Sequence, residues 1–200
     1  MTFETVSPAH PYVQYARSVL DIEIQALTNA RHHLSNAFVE AAERILQAGQ
    51  SGKVVVMGMG KSGHVGHKIA ATLASTGTPA FFVHPAEAGH GDLGMITPQD
   101  VVLAISQSGK TDELLQLIPY FKRHRIALIA MTGDLNSPLA MHADCIISTT
   151  IEQEACPLGL APTASTTLAM ALGDALAVCL LQARGFSKED FAITHPHGSL

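Results

Sequence analysis

The chain has 200 residues and a formal net charge of −5, and 47% of its residues are hydrophobic while only 14% are charged. The length suits one domain with a sizeable core, and the lack of a basic run argues against nucleic acid or an anionic membrane as a partner. Because soluble domains usually carry about a quarter charged residues, the low charge predicts apolar surface buried between subunits, and therefore a homo-oligomer.

The first quarter of the chain is predicted to be helical. A loose arm is expected over residues 1–10, and apolar residues then recur at three- and four-residue spacing through residues 12–48. This spacing predicts two helices with a break near residues 32–35. We expect these helices, within residues 1–48, to pack on a core formed by residues 49–200, so that the chain makes one domain.

From residue 54 onward, short apolar runs alternate with segments of helical spacing. The runs predict strands at residues 54–57, 80–83, 101–105, 127–131 and 145–149. The other segments predict helices at residues 63–76, 112–124, 137–142 and 163–184, a short helix capped by residues 187–190, and loops at residues 84–92 and 152–162. Continuously apolar strands that alternate with helices predict an α/β fold, a three-layer αβα sandwich around a five-stranded parallel sheet.

The compartment is predicted from the termini, the cysteines and the longest apolar run. No basic segment followed by an apolar stretch opens the chain, so no signal peptide is predicted. The three cysteines have no CxxC spacing, which indicates reduced thiols. The apolar run 168–181 contains Gly173 and Asp174 and is too short to span a bilayer. We expect a cytoplasmic protein in which this run forms a buried helix and Asp174 is a buried, hydrogen-bonded group.

Two strand ends carry small and polar residues. The sequence GMGKSG follows the first strand at residues 58–63, and SQSGKT follows the third at residues 106–111. Loops at the carboxyl ends of strands form the ligand crevice of an open α/β sheet, and a helix amino terminus attracts anions. These loops therefore predict a phosphate-ester site with the hydroxyl donors Ser62, Ser106, Ser108 and Thr111 and the cation Lys61.

Other interpretations of these loops remain. The alternative for the first loop is a tight turn without a ligand. The alternative for Thr111 is a helix cap, which would explain one of the three hydroxyls of the second loop and not all of them. The first loop also matches the GxGxxG dinucleotide fingerprint, which requires an acidic residue at the end of the next strand. That strand ends at His84 and the nearest carboxylate is Glu87, so a nicotinamide-dependent enzyme is disfavoured. A P-loop fails because Val55 occupies the position of its first glycine.

Several titratable residues are candidates for chemistry. Glu154 lies in an apolar loop, so we expect a raised pKa that suits a general base; the alternative is a solvated glutamate. Glu113 falls in the first turn of a predicted helix, where a carboxylate is favourable in any case. The 11 histidines show no metal-ligand spacing, so no metal is expected. His195 opens a His-Pro-His-Gly run that indicates either packing or a site.

Motifs along nearly the whole chain from about residue 10 resemble the sugar isomerase (SIS) domain of bacterial D-arabinose 5-phosphate isomerases. SIS sugar-binding proteins in general share only the serine-containing loop, here SQSG at residues 106–109, so the combination of all these motifs is specific. The motifs are GMGKSGH (58–64), HPAEAGHGDLG (84–94), SQSG (106–109), EACPLGLAPTASTT (154–167), GDALA (173–177) and FAITHPHGSL (191–200).

This resemblance implies a flavodoxin-like SIS fold, a homotetramer with sites at subunit interfaces, and the interconversion of D-ribulose 5-phosphate and D-arabinose 5-phosphate without a cofactor. The product would feed synthesis of the sugar Kdo for lipopolysaccharide or capsule. By position, the catalytic residues would be Lys61, His90, Glu113, Glu154 and His195, and the phosphate contacts Ser62, Ser106, Gln107, Ser108 and Thr111. The alternative is a non-catalytic SIS domain that senses a sugar phosphate.

The implied reaction passes through a cis-enediol, for which we expect Glu154 to be the base, with Glu113 as the other candidate. Lys61 or His90 would stabilise the enediolate, and His195 would assist ring opening. The sequence departs from the family in that Lys110 stands where an acidic residue is common, which adds positive charge near the phosphate. The pair of CBS domains that follows the SIS domain in many family members is not expected in this chain.

Overall fold

A computed structural model describes residues 10–49 and 51–195, and its centre is a five-stranded parallel sheet. The strands are β1 (Val54–Gly58), β2 (Ala80–Phe82), β3 (Val101–Ile105), β4 (Ala127–Thr132) and β5 (Cys145–Ser148). Their order across the sheet is β2-β1-β3-β4-β5, the flavodoxin-like order. The predicted fold class is confirmed.

Nine α-helices surround the sheet in the described part of the chain. They are α1 (Pro11–His32), α2 (Asn36–Ala48), α3 (Gly60–Ser75), α4 (Pro85–Gly89), α5 (Asp112–Leu115), α6 (Ile118–His124), α7 (Pro138–His142), α8 (Ala164–Arg184) and α9 (Lys188–Thr194), with a 3₁₀-helix at Asp92–Met95. The predicted break between the first two helices is confirmed. Most of the predicted arm lies outside the described residues.

Two secondary-structure predictions were wrong. The loop expected at 84–92 contains α4, which Pro85 initiates at a position where a missing N–H costs nothing. The single helix expected at 112–124 is divided into α5 and α6. Pro119 lies in the first turn of α6 and has no N–H for the carbonyl of Leu115, so the first helix ends there.

Each face of the sheet buries its own apolar cluster. Strand side chains alternate between the two faces, so Val54, Val56 and Leu103 point to one cluster while Val55 and Val102 point to the other. Residues of α2, α3 and α8 complete the first cluster, and residues of α4 to α7 complete the second. The three-layer arrangement leaves the carboxyl edge of the sheet open.

Helix α8 is the candidate membrane span among the described residues, because its length and apolarity pass the usual test. Half of its most apolar 18-residue stretch is buried inside the protein, as in the core helix of a soluble domain. The length and apolarity of α8 are therefore only weak support for a membrane span. The predicted helix is present, but it is buried along one side only, since Met170 and Val178 are exposed. Asp174 was predicted to be buried, but its side chain is 45% exposed and is ion-paired with Lys68 of α3.

Candidate functional site

The candidate site lies where β1 and β3 end. These strands are adjacent and parallel, with Gly58 paired to Ile105, so their following loops leave the sheet side by side. The turn after β1 is tight, because a Cβ on Gly63 would lie 2.8 Å from the carbonyl oxygen of Gly58. Between these loops and the start of α8 is a narrow pocket lined by Ser62, Val65, Ile105, Gln107, Thr149, Pro162, Ser165, Thr166 and Ala169.

The loop between β3 and α5 is held in shape by its own hydroxyl groups. The hydroxyls of Ser106 and Thr111 are 2.8 Å apart, and the backbone N–H of Gly109 donates to Ser106 Oγ at 3.1 Å. Thr111 precedes α5, yet its side chain bonds to Ser106 and does not cap the helix. Gly109 has φ of +61°, and a Cβ there would meet Ser137 Oγ at 2.0 Å. The loop is therefore preorganised before any ligand binds.

The predicted phosphate contacts differ in how accessible they are. Ser108 is exposed, and within the described residues no acceptor pairs with its backbone N–H or with that of Thr111. Ser106 is buried. Gln107 is fixed from the side, because its amide oxygen accepts from Thr149 Oγ1 at 2.8 Å and its amide nitrogen donates to the carbonyl of Thr149 at 3.2 Å.

Lys110 does not add a free positive charge beside this loop. Its Nζ lies 3.1 Å from a carboxylate oxygen of Asp134, in the loop after β4. The hydrogen bond from Lys110 is the largest cause that holds the pKa of Asp134 below its ordinary value. The expected extra charge near the phosphate is therefore largely neutralised.

Lys61 lies in the first turn of α3 beside a groove of about 410 Å³. The groove runs between α3 and α8, and its lining includes His64, Thr166 and Asp174. Lys61 is exposed, and among the described residues no carboxylate forms an ion pair with it. Its charge is available to a ligand at this end of α3.

His90 and Glu113 belong to neighbouring elements. His90 is the exposed residue that follows α4, and α4 packs against α5, which carries Glu113 in its first turn. Glu113 is half-buried, and no side-chain hydrogen bond occupies its carboxylate within the described residues. The first turn of α5, which carries Glu113, directly follows the loop at residues 106–111.

The expected raised pKa of Glu154 is wrong. Partial burial raises its pKa, but the side-chain hydrogen bond from Ser165 and further bonds from Thr163 and Ser165 outweigh burial, and the pKa lies below the ordinary 4.5. Thr163 donates from its N–H at 2.8 Å and from its hydroxyl at 2.9 Å, and Ser165 donates from its N–H at 3.2 Å and from its hydroxyl. Glu154 is therefore neither a solvated glutamate nor a glutamate with a raised pKa. It is an anion held by hydrogen bonds from the start of α8.

Replacing Glu154 by glutamine should lower stability at neutral pH by about 1–3 kcal/mol, because the amide presents a donor to groups that are themselves donors. A lowered native pKa stabilises the fold above pH 4.5, and this contribution is lost as the pH falls through the native pKa. The difference between wild type and Glu154→Gln should therefore shrink towards acid pH in urea unfolding. Glu152→Gln, an exposed control, should change little, and an equal loss in both variants would contradict the assignment.

The structure does not bring His195 to these residues within one chain. The far end of α8 lies at the amino edge of the sheet, where Arg184 Nε donates to Thr78 Oγ1 at 3.3 Å. Helix α8 has 21 residues, or about 30 Å, and α9 has 7, or about 10 Å, which is too short to return. His195 instead stacks on Phe191 at 3.8 Å, and the rest of its His-Pro-His-Gly run is outside the described residues.

A larger cavity lies elsewhere in the described part of the chain. It has a volume of about 580 Å³, lies between the α1–α2 junction and the end of β5, and contains none of the predicted site residues. Among the described residues no group of three or more histidine, cysteine, aspartate or glutamate side chains is placed to hold a metal ion. Of the predicted site residues, Ser62 and Gln107 line the narrow pocket and Lys61 lines the adjoining groove.

The sequence model of the SIS domain family matches residues 49–179 of this chain. The chain belongs to the SIS domain family. The match begins where the core was predicted to begin, while the assignment of residues 180–200 to the same core stays a prediction.

Relatives of this SIS chain include enzymes and a solved complex. The arabinose 5-phosphate isomerase KdsD of Yersinia pestis is 56% identical over 100% of this chain and 60% of that protein, and KdsD of Pseudomonas aeruginosa is 57% identical over 94% of this chain and 57% of that protein. The structure of E. coli CFT073 c3406 in complex with arabinose 5-phosphate is 38% identical, with a TM-score of 0.90, and the match covers 94% of this chain and 99% of that chain. The chain spans about 60% of the length of its curated relatives.

Several residues in or beside the candidate site were not predicted from the sequence. Thr149 follows β5, so the rule that pointed to the other strand ends also applies to it. Thr163 and Ser165 carry hydroxyls at the start of α8, which is a signal for helix capping. Asp134 gave no signal, because only the fold brings it to Lys110.

Proposed function

We propose that this chain is an aldose–ketose isomerase that interconverts D-ribulose 5-phosphate and D-arabinose 5-phosphate. The observation that carries the proposal is the likeness to a solved SIS structure holding arabinose 5-phosphate, which is 38% identical and is matched over 99% of its own length. The names of the KdsD relatives support the same reaction. The product would supply Kdo for lipopolysaccharide or capsule synthesis.

The phosphate of the substrate would bind at the loop after β3, residues 106–111, which we call the phosphate loop. The backbone N–H groups of Ser108 and Thr111, which have no acceptor among the described residues, and the hydroxyl of Ser108 would supply hydrogen bonds there. Ser62 would approach from the first turn of α3. Gln107, fixed by Thr149, retains one amide hydrogen for a phosphate oxygen. The sugar then extends towards Lys61 and Glu113.

Glu113 is the better candidate for the base. Isomerisation moves a proton between C1 and C2, so the base needs a carboxylate with free lone pairs. The carboxylate of Glu154 is engaged by Thr163 and Ser165, whereas that of Glu113 is unoccupied in the described residues and lies where the phosphate loop begins α5. A single base on one face of the enediol returns the proton to one face of C2, which selects arabinose over its epimer ribose.

Lys61 would stabilise the enediolate oxygen, since its ammonium is free of ion pairs in the described residues and opens towards the groove. His90, on the loop beside α5, is the second candidate donor. Neither role requires a metal or a redox cofactor, because the reaction only relocates protons within the sugar.

The assembly is proposed to be a homotetramer whose sites lie at subunit interfaces. In its own chain His195 follows α9, beyond the far end of α8, whereas Lys61 lies near the start of α8. We therefore expect His195 to serve ring opening in a partner's site. Exposed apolar side chains on α1, including Tyr12 at 77% and Tyr15 at 67%, supply surface for subunit contact. A cytoplasmic location stays a prediction.

Mixed oligomers test the shared site. Glu113→Gln and His195→Ala subunits should each be inactive alone, while co-expressed mixtures should regain turnover because some interfaces then carry both native residues. Size-exclusion chromatography with light scattering measures the assembly of each preparation. Unaltered activity of His195→Ala, or mixtures as inactive as their parents, would contradict the assignment.

The reaction is tested by incubating the chain with D-ribulose 5-phosphate, D-fructose 6-phosphate and D-sedoheptulose 7-phosphate in separate reactions. Only the five-carbon ketose should yield an aldose, identified by chromatography as D-arabinose 5-phosphate. Saturable binding of D-arabinose 5-phosphate by calorimetry without turnover would instead favour the sensor alternative.

A further inference from the structure

The segment from Glu154 to Ser165 forms a loop closed by one carboxylate. Both ends meet at Glu154, which accepts hydrogen bonds from the backbone and hydroxyl groups of Thr163 and Ser165. The hydroxyl of Thr163 also accepts from the N–H of Ala155 at 2.8 Å, so it bridges the two ends. This clamp joins the residues after β5 to the first turn of α8.

We propose that Thr163 and Ser165 are positioning residues of the isomerase site, and that Glu154 is the fixed anion to which they bind and not the base that moves the substrate's proton. This inference rests on the proposed function. It assigns to the clamp the task of setting where the start of α8 lies relative to the phosphate loop.

Packing gives this loop little other support. Leu158 and Leu160 at its tip are 78% and 80% exposed, so the loop cannot be held by burial of its apolar side chains. Its attachment depends on Ala155, which is buried, and on the clamp. An anion at the amino terminus of the 21-residue α8 is also favoured by the helix dipole.

The clamp acts directly behind the pocket. Ser165 lines the narrow pocket and bonds to Glu154, and Thr166 lines both the pocket and the groove beside Lys61. A displacement of the first turn of α8 would move both walls relative to Gln107 and Ser62. Because a shift of about 1 Å in a reacting group can cost about 10²-fold in rate, a loosened clamp should lower turnover.

The two roles for Glu154 predict opposite results when one donor is removed. A carboxylate released from a donor becomes a stronger base, so if Glu154 were the base, Ser165→Ala would keep or raise turnover at neutral pH. If Glu154 is the anchor, the same change lowers turnover although the carboxylate remains.

The test is kcat and KM at pH 7.5 for Ser165→Ala, Ser165→Thr and Thr163→Val in the full chain, with circular dichroism to confirm folding. We expect Ser165→Ala and Thr163→Val to lose about 10- to 100-fold in kcat with KM changed by less than about 3-fold, and Ser165→Thr to recover most of the loss. Thr163 does not line the pocket, so its variant separates the clamp from direct substrate contact and serves if Ser165→Ala unfolds.

Ser75→Ala is the matched control, because it removes a helix hydroxyl that donates to Thr72 O at 3.0 Å at the far end of α3; it should retain wild-type kcat. Wild-type kcat in both clamp variants would overturn the inference while leaving the isomerase intact. A wild-type chain without turnover would instead remove the proposed function, and the inference with it.

Discussion

Glu113→Gln is expected to lose turnover by about 10²- to 10⁴-fold and to keep its affinity for the phosphosugar. Glutamine has nearly the shape of glutamate but cannot accept the proton from carbon, and general bases contribute an effect of this size. The phosphate loop before α5 is held by the Ser106–Thr111 bond, which the substitution leaves alone. Steady-state kinetics and calorimetric titration with D-arabinose 5-phosphate separate the two effects.

The neighbouring carboxylate supplies the control. Asp112 lies in the same first turn of α5 and is exposed, so Asp112→Asn removes an equal charge without touching the proposed base. It should keep kcat within about 2-fold, as expected for a surface substitution. A Glu113→Gln variant within tenfold of wild type would move the base to another residue.

Lys61→Met is expected to lower kcat by about 10²- to 10³-fold, as does removal of one donor from a developing oxyanion. Methionine keeps the length of the side chain but removes the charge that faces the groove between α3 and α8. Because the enediolate is charged and the substrate carbonyl is not, the loss should fall on kcat more than on KM. Comparison of kcat and KM with the wild type measures this.

Lys68→Met provides the comparison for that variant. Lys68 is on the same helix and its charge is paired with Asp174, so its removal changes the net charge of α3 equally but leaves Lys61 in place. Turnover within about 3-fold of wild type is expected. If Lys61→Met raised KM alone, Lys61 would be a ground-state binding residue and not a stabiliser of the enediolate.

Much of the fold was predictable because the strands are buried on both faces. Continuous apolar runs mark such strands, and the run at 101–105 coincides with β3, Val101–Ile105. The adjacency of the two candidate loops followed from the same pattern, since adjacent parallel strands end at one edge of the sheet. The division between α5 and α6 was also in the sequence, at Pro119, but the helical spacing around it obscured the break.

The environment of Glu154 was not predictable in the same way. Its apolar neighbours in the sequence suggested desolvation, and partial burial does raise the pKa of Glu154, although Leu158 and Leu160 themselves are exposed. Hydrogen bonds that lower the pKa outweigh this effect. The donors come from residues 9 and 11 positions later, which return only because the loop closes on α8. The pairing of Lys110 with Asp134 and the distance of His195 from Lys61 likewise depend on the fold, not on local sequence.

The most direct measurement is NMR of the purified chain with D-ribulose 5-phosphate in deuterium oxide. Proton transfer by a solvent-exchanging carboxylate on one face of a cis-enediol predicts D-arabinose 5-phosphate carrying deuterium at C2, without D-ribose 5-phosphate. Unchanged D-ribulose 5-phosphate, or a product that consists of both C2 epimers, would contradict an isomerase with a single base on one face.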